Sequence, residues 1–222
     1  MEGKIKHRVQ TYSESKNSIF YKFIKKIILD AREKFFNHFK NSTEYNDDLS
    51  LLDIGTTPSL DNEQNIILEK TKNNKNITCL SDQDCNNLQK KYPNIKNFII
   101  GNGINTDFKD MSFDIVHSNA TIEHVGSYDN QISFIKEAWR ISKNYVFIQT
   151  PNRFYPIDFH TNLPLIHWLP KKIHRKILKF IGLNFYSIEE NLNLLSESNL
   201  INIFKKLDIK NFKIIKHKLL FM

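Results

Sequence analysis

The chain has 222 residues, 40% of them hydrophobic and 12% aromatic, which is enough for one sizeable core and too few for two. Its net charge is +8, but Lys, Asn and Ile abound along the whole sequence, so charge alone does not select nucleic acid, a membrane or an anionic substrate as partner. The sequence lacks the roughly 20 uninterrupted apolar residues of a membrane span and begins without the apolar block of a signal peptide, so we expect one cytoplasmic domain covering residues 1–222.

Residues 1–45 are predicted to form an N-terminal helical extension. Between residues 18 and 40, apolar residues recur at three- and four-residue spacing with lysines and arginines between them, which is typical of an amphipathic helix. Ser15 or Ser18 is suited to cap it, and the polar run NSTEYNDD ends it.

Strands and helices alternate through residues 46–150. Strands are predicted at residues 49–54, 76–80, 97–100, 113–120 and 144–150, with helices at 61–71 and 129–143. This βαβ rhythm predicts an α/β fold with a doubly wound, mostly parallel sheet and helices on both faces.

The rhythm stops at residues 151–186, which are rich in proline and aromatic residues and are predicted as an ordered loop or lid after the fifth strand. Pro170 suits the first position of a short helix that Gly182 closes. We expect its apolar face to pack on the domain, with contact to an anionic membrane or a phosphate-bearing glycolipid as the alternative. That face consists of Ile173, Ile177, Phe180 and Ile181. A further helix is predicted at 187–207, and a strand from residue 211 onward.

Small or polar residues follow each of the first four predicted strands, where an open α/β sheet binds its ligands. Glycine lets a backbone approach a ligand closely, carboxylates can hold an ammonium group or ribose hydroxyls, and an asparagine can both donate to and accept from an adenine edge. The simpler alternatives are a turn acid, a tight GNG turn and a plain strand end. The candidates are Asp53, Gly55, Thr56, Ser81, Asp82, Asn102, Gly103, Asn119 and Ala120.

This order of elements resembles the class I S-adenosylmethionine-dependent methyltransferases that act on small molecules, whose core has a hydrophobic strand, D-x-G, and later F-D-x-V followed by an E-H pair. The segment from FDIVHSNATIEHV to HWLP looks like bacterial methyltransferases of surface polysaccharide or other glycoconjugate synthesis. The resemblance implies a seven-stranded Rossmann-like sheet, whose last strand is either complete or truncated, and S-adenosyl-L-methionine as cofactor.

The resemblance also assigns the candidates. It implies that Asp53, Gly55 and Thr56 face the methionine end of the cofactor and that Ser81 or Asp82 holds the ribose. It further implies that Asn102 and Gly103 lie at the adenine, with Asn119 and Ala120 beside the sulfonium.

The chain departs from the family pattern in its first loop. Only the first glycine of D-x-G-x-G-x-G is present, and Thr-Thr-Pro-Ser follows it. Such a loop is stiffer and offers hydroxyls that can contact a carboxylate, so we interpret it as an unusual cradle for the methionine end. Loss of cofactor binding is the alternative.

Methyl transfer to a hydroxyl needs an aligned acceptor and a base for its proton, and histidine suits that role near neutral pH. We predict His160 as the base, with Asp158 assisting it or binding the acceptor and His124 as second choice. The alternatives are that His124 only supports a loop and that His160 only orders the lid.

No metal site is predicted. His160, His167 and His174 are seven residues apart, but Pro164 and Pro170 exclude one continuous helix through all three. Cys79 and Cys85 are expected to be reduced thiols.

The predicted function is O-methylation of a sugar, glycolipid or other small molecule in polysaccharide biosynthesis, with peripheral contact at the inner membrane face as a further expectation. A non-catalytic methyltransferase-like protein is the first alternative. An RNA methyltransferase is less favoured because the sequence lacks an N/D-P-P-Y/F motif and an RNA-binding module.

Overall fold

The computed structural model describes residues 19–61 and 64–217, with side chains from residue 29 onward. The predicted caps Ser15 and Ser18, and residues 218–222 of the predicted C-terminal strand, lie outside the described residues.

Five parallel strands form one sheet in the order β3-β2-β1-β4-β5. They are β1 (Leu51–Ile54), β2 (Ile77–Ser81), β3 (Ile95–Ile100), β4 (Phe113–Asn119) and β5 (Ser142–Gln149). The predicted α/β fold with a parallel sheet is confirmed. The described residues form five of the predicted seven strands. Residues 211–217 were predicted as strand but have no regular structure.

The helices are α1 (Ile19–Thr43), α2 (Ile66–Lys70), α3 (Tyr128–Ile141), α4 (Lys171–Phe180) and α5 (Glu197–Lys206). Short 3-10 helices lie at Asn86–Leu88, Ile122–His124, Ile166–Trp168 and Phe185–Ser187. The helix predicted at 187–207 was placed too early, because Ser196 and Asn199 form a capping box that starts α5 at Glu197. The helix predicted at 61–71 is likewise limited to α2.

Two apolar cores lie on opposite faces of the sheet. Neighbouring strand residues point to opposite faces, so Leu51 packs with Phe39 of α1 and Leu68 of α2, whereas Leu52 packs with Ile135 of α3 and Ile203 of α5. Helices therefore cover both faces, as a doubly wound sheet requires.

Helix α4 buries a different face from the one predicted. His174 and Leu178 are buried, whereas Ile173, Phe180 and Ile181 are exposed, Phe180 to 90%. The expectation that this apolar face packs on the domain was therefore wrong.

None of the helices in the described part of the chain is long and apolar enough to cross a membrane. Cys79 and Cys85 are buried and unbonded to each other, as predicted.

Candidate active site

The carboxyl ends of the five strands lie at the same end of the sheet. We call this region the rim: the last two residues of each of β1 to β5 and the residues that directly follow them. Backbone hydrogen bonds join neighbouring parts of the rim. Gly55 N donates to Leu80 O and Ala120 N to Gln149 O, each at 2.8 Å. The predicted candidates after β1, β2, β3 and β4 are thus brought to a common edge.

Asp53 is buried and paired within the protein. Its Oδ2 accepts a hydrogen bond from Thr56 Oγ1 at 2.6 Å, and its Oδ1 lies 2.7 Å from His117 Nδ1 on the neighbouring strand. The His117 ring contacts the rings of Phe39 and Phe147. Asp53 therefore shapes the start of the loop, and its predicted contact with a cofactor stays a prediction.

The two candidate glycines are required by protein packing. Gly55 has a φ of +97°, and a Cβ there would lie 1.9 Å from Thr121 Oγ1. A Cβ on Gly103 would lie 2.7 Å from Ile54 Cγ2 and 2.8 Å from Phe134. Neither position accepts a larger residue without displacement of its neighbours.

Asn65 holds the glycine-poor loop. Its Oδ1 accepts from Thr57 N at 3.1 Å, and its Nδ2 donates to Thr57 O at 2.9 Å and to Ser59 O at 3.1 Å. A buried side-chain amide thus fixes the backbone of Thr-Thr-Pro-Ser, a role that the sequence pattern did not reveal.

Polar groups at the rim fit an adenosyl ligand with an amino-acid end. Thr57 Oγ1 is buried and has no hydrogen-bond partner among the described residues. Asp82 is exposed, whereas Ser81 is buried and its Oγ accepts from Gln83 N, so Asp82 is the better acceptor for ribose hydroxyls. Asn102 is also exposed, and its Oδ1 accepts from Ile104 N.

The end of β4 presents backbone in an unusual conformation. Ala120, one of the two candidates beside the sulfonium, is exposed and has a φ of +49°. Asn119 is half-buried, and its carbonyl accepts from Thr121 Oγ1 at 3.0 Å. This turn leads directly into the 3-10 helix Ile122–His124.

Glu123, His124 and His160 form a cluster next to this turn, with Asp158 behind it. Glu123 is fully buried, its Oε2 accepts from Thr150 Oγ1 at 2.9 Å, and its Oε1 has no hydrogen-bond partner among the described residues. His160 Nε2 lies 3.7 Å from this Oε1, and His124 Nε2 lies 4.0 Å from it. The structure therefore brings His160 and His124 together around the Glu123 carboxylate, and Asp158 contacts His160.

Hydrogen bonds orient both histidines. His160 Nδ1 donates to Asp158 Oδ1 at 3.0 Å, and His124 Nδ1 donates to Asn191 O at 2.6 Å. Since both acceptors lack protons, each Nδ1 carries a proton and each Nε2 faces Glu123.

The carboxylates of the cluster favour positive charge between them. Burial disfavours the imidazolium, yet the hydrogen bond to Asp158 and the charge of Glu123 outweigh it and raise the pKa of His160 to about 9. Burial also opposes ionisation of Asp158, but its bonds with His160 and Thr161 lower its pKa to about 2. The pKa of Glu123 is lowered as well, because both histidines outweigh the cost of its burial.

A basic recess lies beside the loop that precedes α4. Its cations are Arg153, Lys171 and Arg175, and of these Arg175 pairs with Glu189 at 2.8 Å. Burial lowers the pKa of Lys171, and the charges of Arg153 and Arg175 lower it further. The recess also contains two buried ring nitrogens without partners in the described structure, His167 Nδ1 and His174 Nε2.

Sequence reasoning missed three parts of this region. Glu123 was visible as the acid of the E-H pair but received no role, although it lies at the centre of the cluster. Arg153 was not identified, and His167 was considered only for its spacing from His160 and His174. The contacts of both residues with the segment around α4 depend on the path of residues 151–170.

Comparison with known proteins agrees with this geometry. Residues 65–147 match the family model described as a methyltransferase domain. None of the curated proteins matches the chain.

Several solved structures share the fold. An S-adenosylmethionine-dependent methyltransferase from Methanosarcina mazei is 17% identical, with a TM-score of 0.52 over 73% of this chain and 80% of that one. One from Archaeoglobus fulgidus is 17% identical, with a TM-score of 0.50 over 86% and 74% of the two chains. The YcgJ protein of Bacillus subtilis is 13% identical, with a TM-score of 0.53 over 78% and 67%. The chain thus has the fold of S-adenosylmethionine-dependent methyltransferases, and the comparisons support that class of enzyme and that cofactor for it.

Proposed function

We propose that the protein is an S-adenosylmethionine-dependent methyltransferase that methylates a hydroxyl group of a sugar, glycolipid or other small acceptor. One observation carries the proposal. A single rim presents the uncommitted hydroxyl of Thr57, the exposed carboxylate of Asp82 and the turn at Ala120, next to a histidine cluster.

The residues of the rim would divide the binding of the cofactor. Asp82 would accept hydrogen bonds from the ribose hydroxyls, Asn102 would contact the adenine edge, and Thr57 would bond the methionine end. When bound, S-adenosylmethionine supplies a methyl group already activated on a sulfonium, so the chain mainly has to align the acceptor.

The cluster would act on the acceptor. An acceptor hydroxyl placed against His160 Nε2 forms its new O–C bond as the C–S bond breaks, and the electron pair of that bond stays on sulfur. The hydroxyl proton passes to Nε2 when that nitrogen is unprotonated. Asp158 holds the ring in the orientation that makes this transfer feasible.

The basic recess suggests what else the acceptor carries. Three cations, Arg153, Lys171 and Arg175, line the recess, and two carboxylates, Glu189 and Asp158, act on its residues, so the recess has an excess of positive charge. A phosphate group of a nucleotide-linked sugar or a glycolipid at the mouth of the recess would neutralise that charge. The cavity itself has a volume of about 10 Å³, the space of one water molecule, so the buried nitrogens of His167 and His174 are not assigned to the phosphate. We therefore favour a phosphate-bearing acceptor.

A non-catalytic binding protein is the second candidate. Two observations favour it. Both carboxylate oxygens of Asp53 are engaged within the protein, and neighbouring side chains pack closely against the two rim glycines, Gly55 and Gly103. Both candidates lie within the same fold, so ligand binding separates them.

Calorimetric titration with S-adenosylhomocysteine tests the proposal. We expect one molecule to bind per chain, and Asp82→Asn to weaken binding by about 10- to 100-fold, the value of a charge-assisted hydrogen bond. Asp48→Asn is the matched control, because Asp48 is exposed and precedes β1, at the end of the sheet opposite to the rim. Absence of heat at millimolar ligand would refute the methyltransferase and support the second candidate.

A further inference from the structure

The cluster of Glu123, His124 and His160 has the composition of a metal centre. One oxygen and two nitrogens, one from each residue, lie within 4.8 Å of one another. Two imidazoles and one carboxylate are a ligand set that divalent transition cations prefer, whereas Mg²⁺ and Ca²⁺ prefer oxygen ligands alone.

The surroundings of both histidines match those of metal-ligating imidazoles. A ligating histidine donates its other ring N–H to a carboxylate or a backbone carbonyl, which fixes the tautomer and directs the lone pair at the metal. His160 donates from Nδ1 to Asp158, and His124 donates from Nδ1 to Asn191 O. Both Nε2 atoms are thereby directed toward the same carboxylate oxygen.

Glu123 gives independent support. It is fully buried, and its Oε1 is left without a hydrogen bond in the described structure while Oε2 is bonded to Thr150. A buried carboxylate oxygen without a hydrogen bond is costly, and a cation between it and the two Nε2 atoms removes that cost.

The distances require only a small contraction. Glu123 Oε1 lies 3.7 Å from His160 Nε2 and 4.0 Å from His124 Nε2. Bonds of about 2.0–2.2 Å to one cation bring such atoms to separations of roughly 3–3.6 Å. The two histidine nitrogens lie within 4.8 Å of each other, so shifts of about half an ångström in each side chain are sufficient.

We propose that Glu123, His124 and His160 bind one divalent transition cation of the zinc type, with at least one coordination position left open. The proposed metal site rests on this geometry and does not depend on the proposed function. Its part in catalysis rests on the proposed function, with one change: while a cation is bound, His160 Nε2 is a ligand and not the base. The cation would then lower the pKa of an acceptor hydroxyl at the open position beside the turn at Ala120.

Metal binding can be measured on full-length protein that carries no histidine tag and has been stripped with a chelator. Calorimetry with Zn²⁺ and visible absorption with Co²⁺ are the probes. We expect one ion per chain, and a Co²⁺ spectrum of a four- or five-coordinate site with nitrogen and oxygen ligands. We expect Glu123→Gln and His124→Gln each to weaken Zn²⁺ binding at least about 100-fold.

His38→Gln is the control, because His38 lies on α1 and contacts His217 rather than the cluster. Circular dichroism checks the fold of each variant, and His160→Gln replaces any variant that fails to fold. Stoichiometric binding that survives in all folded cluster variants, or no binding by the wild type at micromolar Zn²⁺, would overturn the proposal.

Titration of the same samples with S-adenosylhomocysteine separates the two claims. If the wild type binds S-adenosylhomocysteine but no Zn²⁺, the metal site is wrong and the proposed function survives. Zn²⁺ binding without S-adenosylhomocysteine binding would leave the metal site standing and contradict the methyltransferase.

Discussion

Two aspartate–histidine pairs lie near the carboxyl ends of the strands, and they differ in what surrounds them. Asp53 and His117 pair across β1 and β4, with Thr56 on the remaining oxygen and aromatic rings around the imidazole. Asp158 and His160 pair in the segment after β5, and there the second imidazole nitrogen is directed to a carboxylate oxygen without a hydrogen bond.

This difference is our reason for assigning a structural role to one pair and a functional role to the other. Protein groups occupy both carboxylate oxygens of each aspartate. In the first pair, which we call closed, aromatic rings also surround the imidazole, so we assign the pair to the stability of the fold. In the second, which we call open, the neighbouring Glu123 retains a buried unpaired oxygen, and natural proteins retain such groups mainly where a ligand or a reaction uses them. Residue type and burial alone would not have separated the two pairs.

The largest effect is expected for removal of the closed pair. Asp53→Ala leaves His117 and Thr56 without their buried partner, so we expect a loss of about 3 kcal/mol in the free energy of unfolding. Urea denaturation measures it, and Asp48→Ala, at an exposed position, should change the same quantity by less than about 0.5 kcal/mol.

The same variant sharpens the comparison. Folded Asp53→Ala protein should still bind Zn²⁺ as the wild type does. If it kept full stability and lost Zn²⁺ instead, the assignment of the two pairs would be reversed.

A smaller effect is expected for Glu137, a carboxylate away from the rim that is hydrogen-bonded within the protein. Burial opposes its ionisation, but hydrogen bonds from Arg140 and Thr106 lower its pKa from 4.5 to about 2. A depressed pKa contributes stability above the unfolded-state value, and that contribution is lost as the pH falls from about 4.5 to 2.

Glu137→Gln should therefore lower the free energy of unfolding by about 2 kcal/mol at pH 6. The difference from the wild type should shrink steadily below pH 4.5, in denaturation series at several pH values. A difference independent of pH would show that the carboxylate charge contributes nothing.

The smallest effect on stability is expected at α4, whose exposed side chains include large apolar ones. Phe180 is 90% exposed beside Lys176 and Lys179, so Phe180→Ser should change the free energy of unfolding by less than about 0.5 kcal/mol.

If α4 contacts an anionic membrane, as the sequence suggested, the wild type should co-sediment with phosphatidylglycerol vesicles and Phe180→Ser should do so several-fold less. Vesicles of phosphatidylcholine are the control. Equal sedimentation of both proteins would remove α4 from any membrane contact.

The sequence predicted the parallel sheet well because its strands are bounded by turn residues and β1 and β2 are buried throughout. It misjudged α4, because hydrophobicity ranks Ile173 and Phe180 above His174, whereas the recess buries His174. The predicted helix at 187–207 ignored the cap at Ser196, a local signal that was available.

The candidate site was predictable only in part. Residues that follow strands could be listed, because topology alone brings them to one edge. The hydrogen bonds of Asp53 and the packing of Gly55 against Thr121 depend on contacts between distant parts of the chain. The cluster around Glu123 also depends on a contact between distant parts of the chain, since His160 approaches it from the segment after β5.

A crystal structure of the protein with S-adenosylhomocysteine tests the central claim most directly. We predict adenosine along the rim with its ribose at Asp82, and the sulfur between Ala120 and the cluster of Glu123, His124 and His160. A rim filled by the protein's own side chains, or a sulfur directed away from that cluster, would contradict the account.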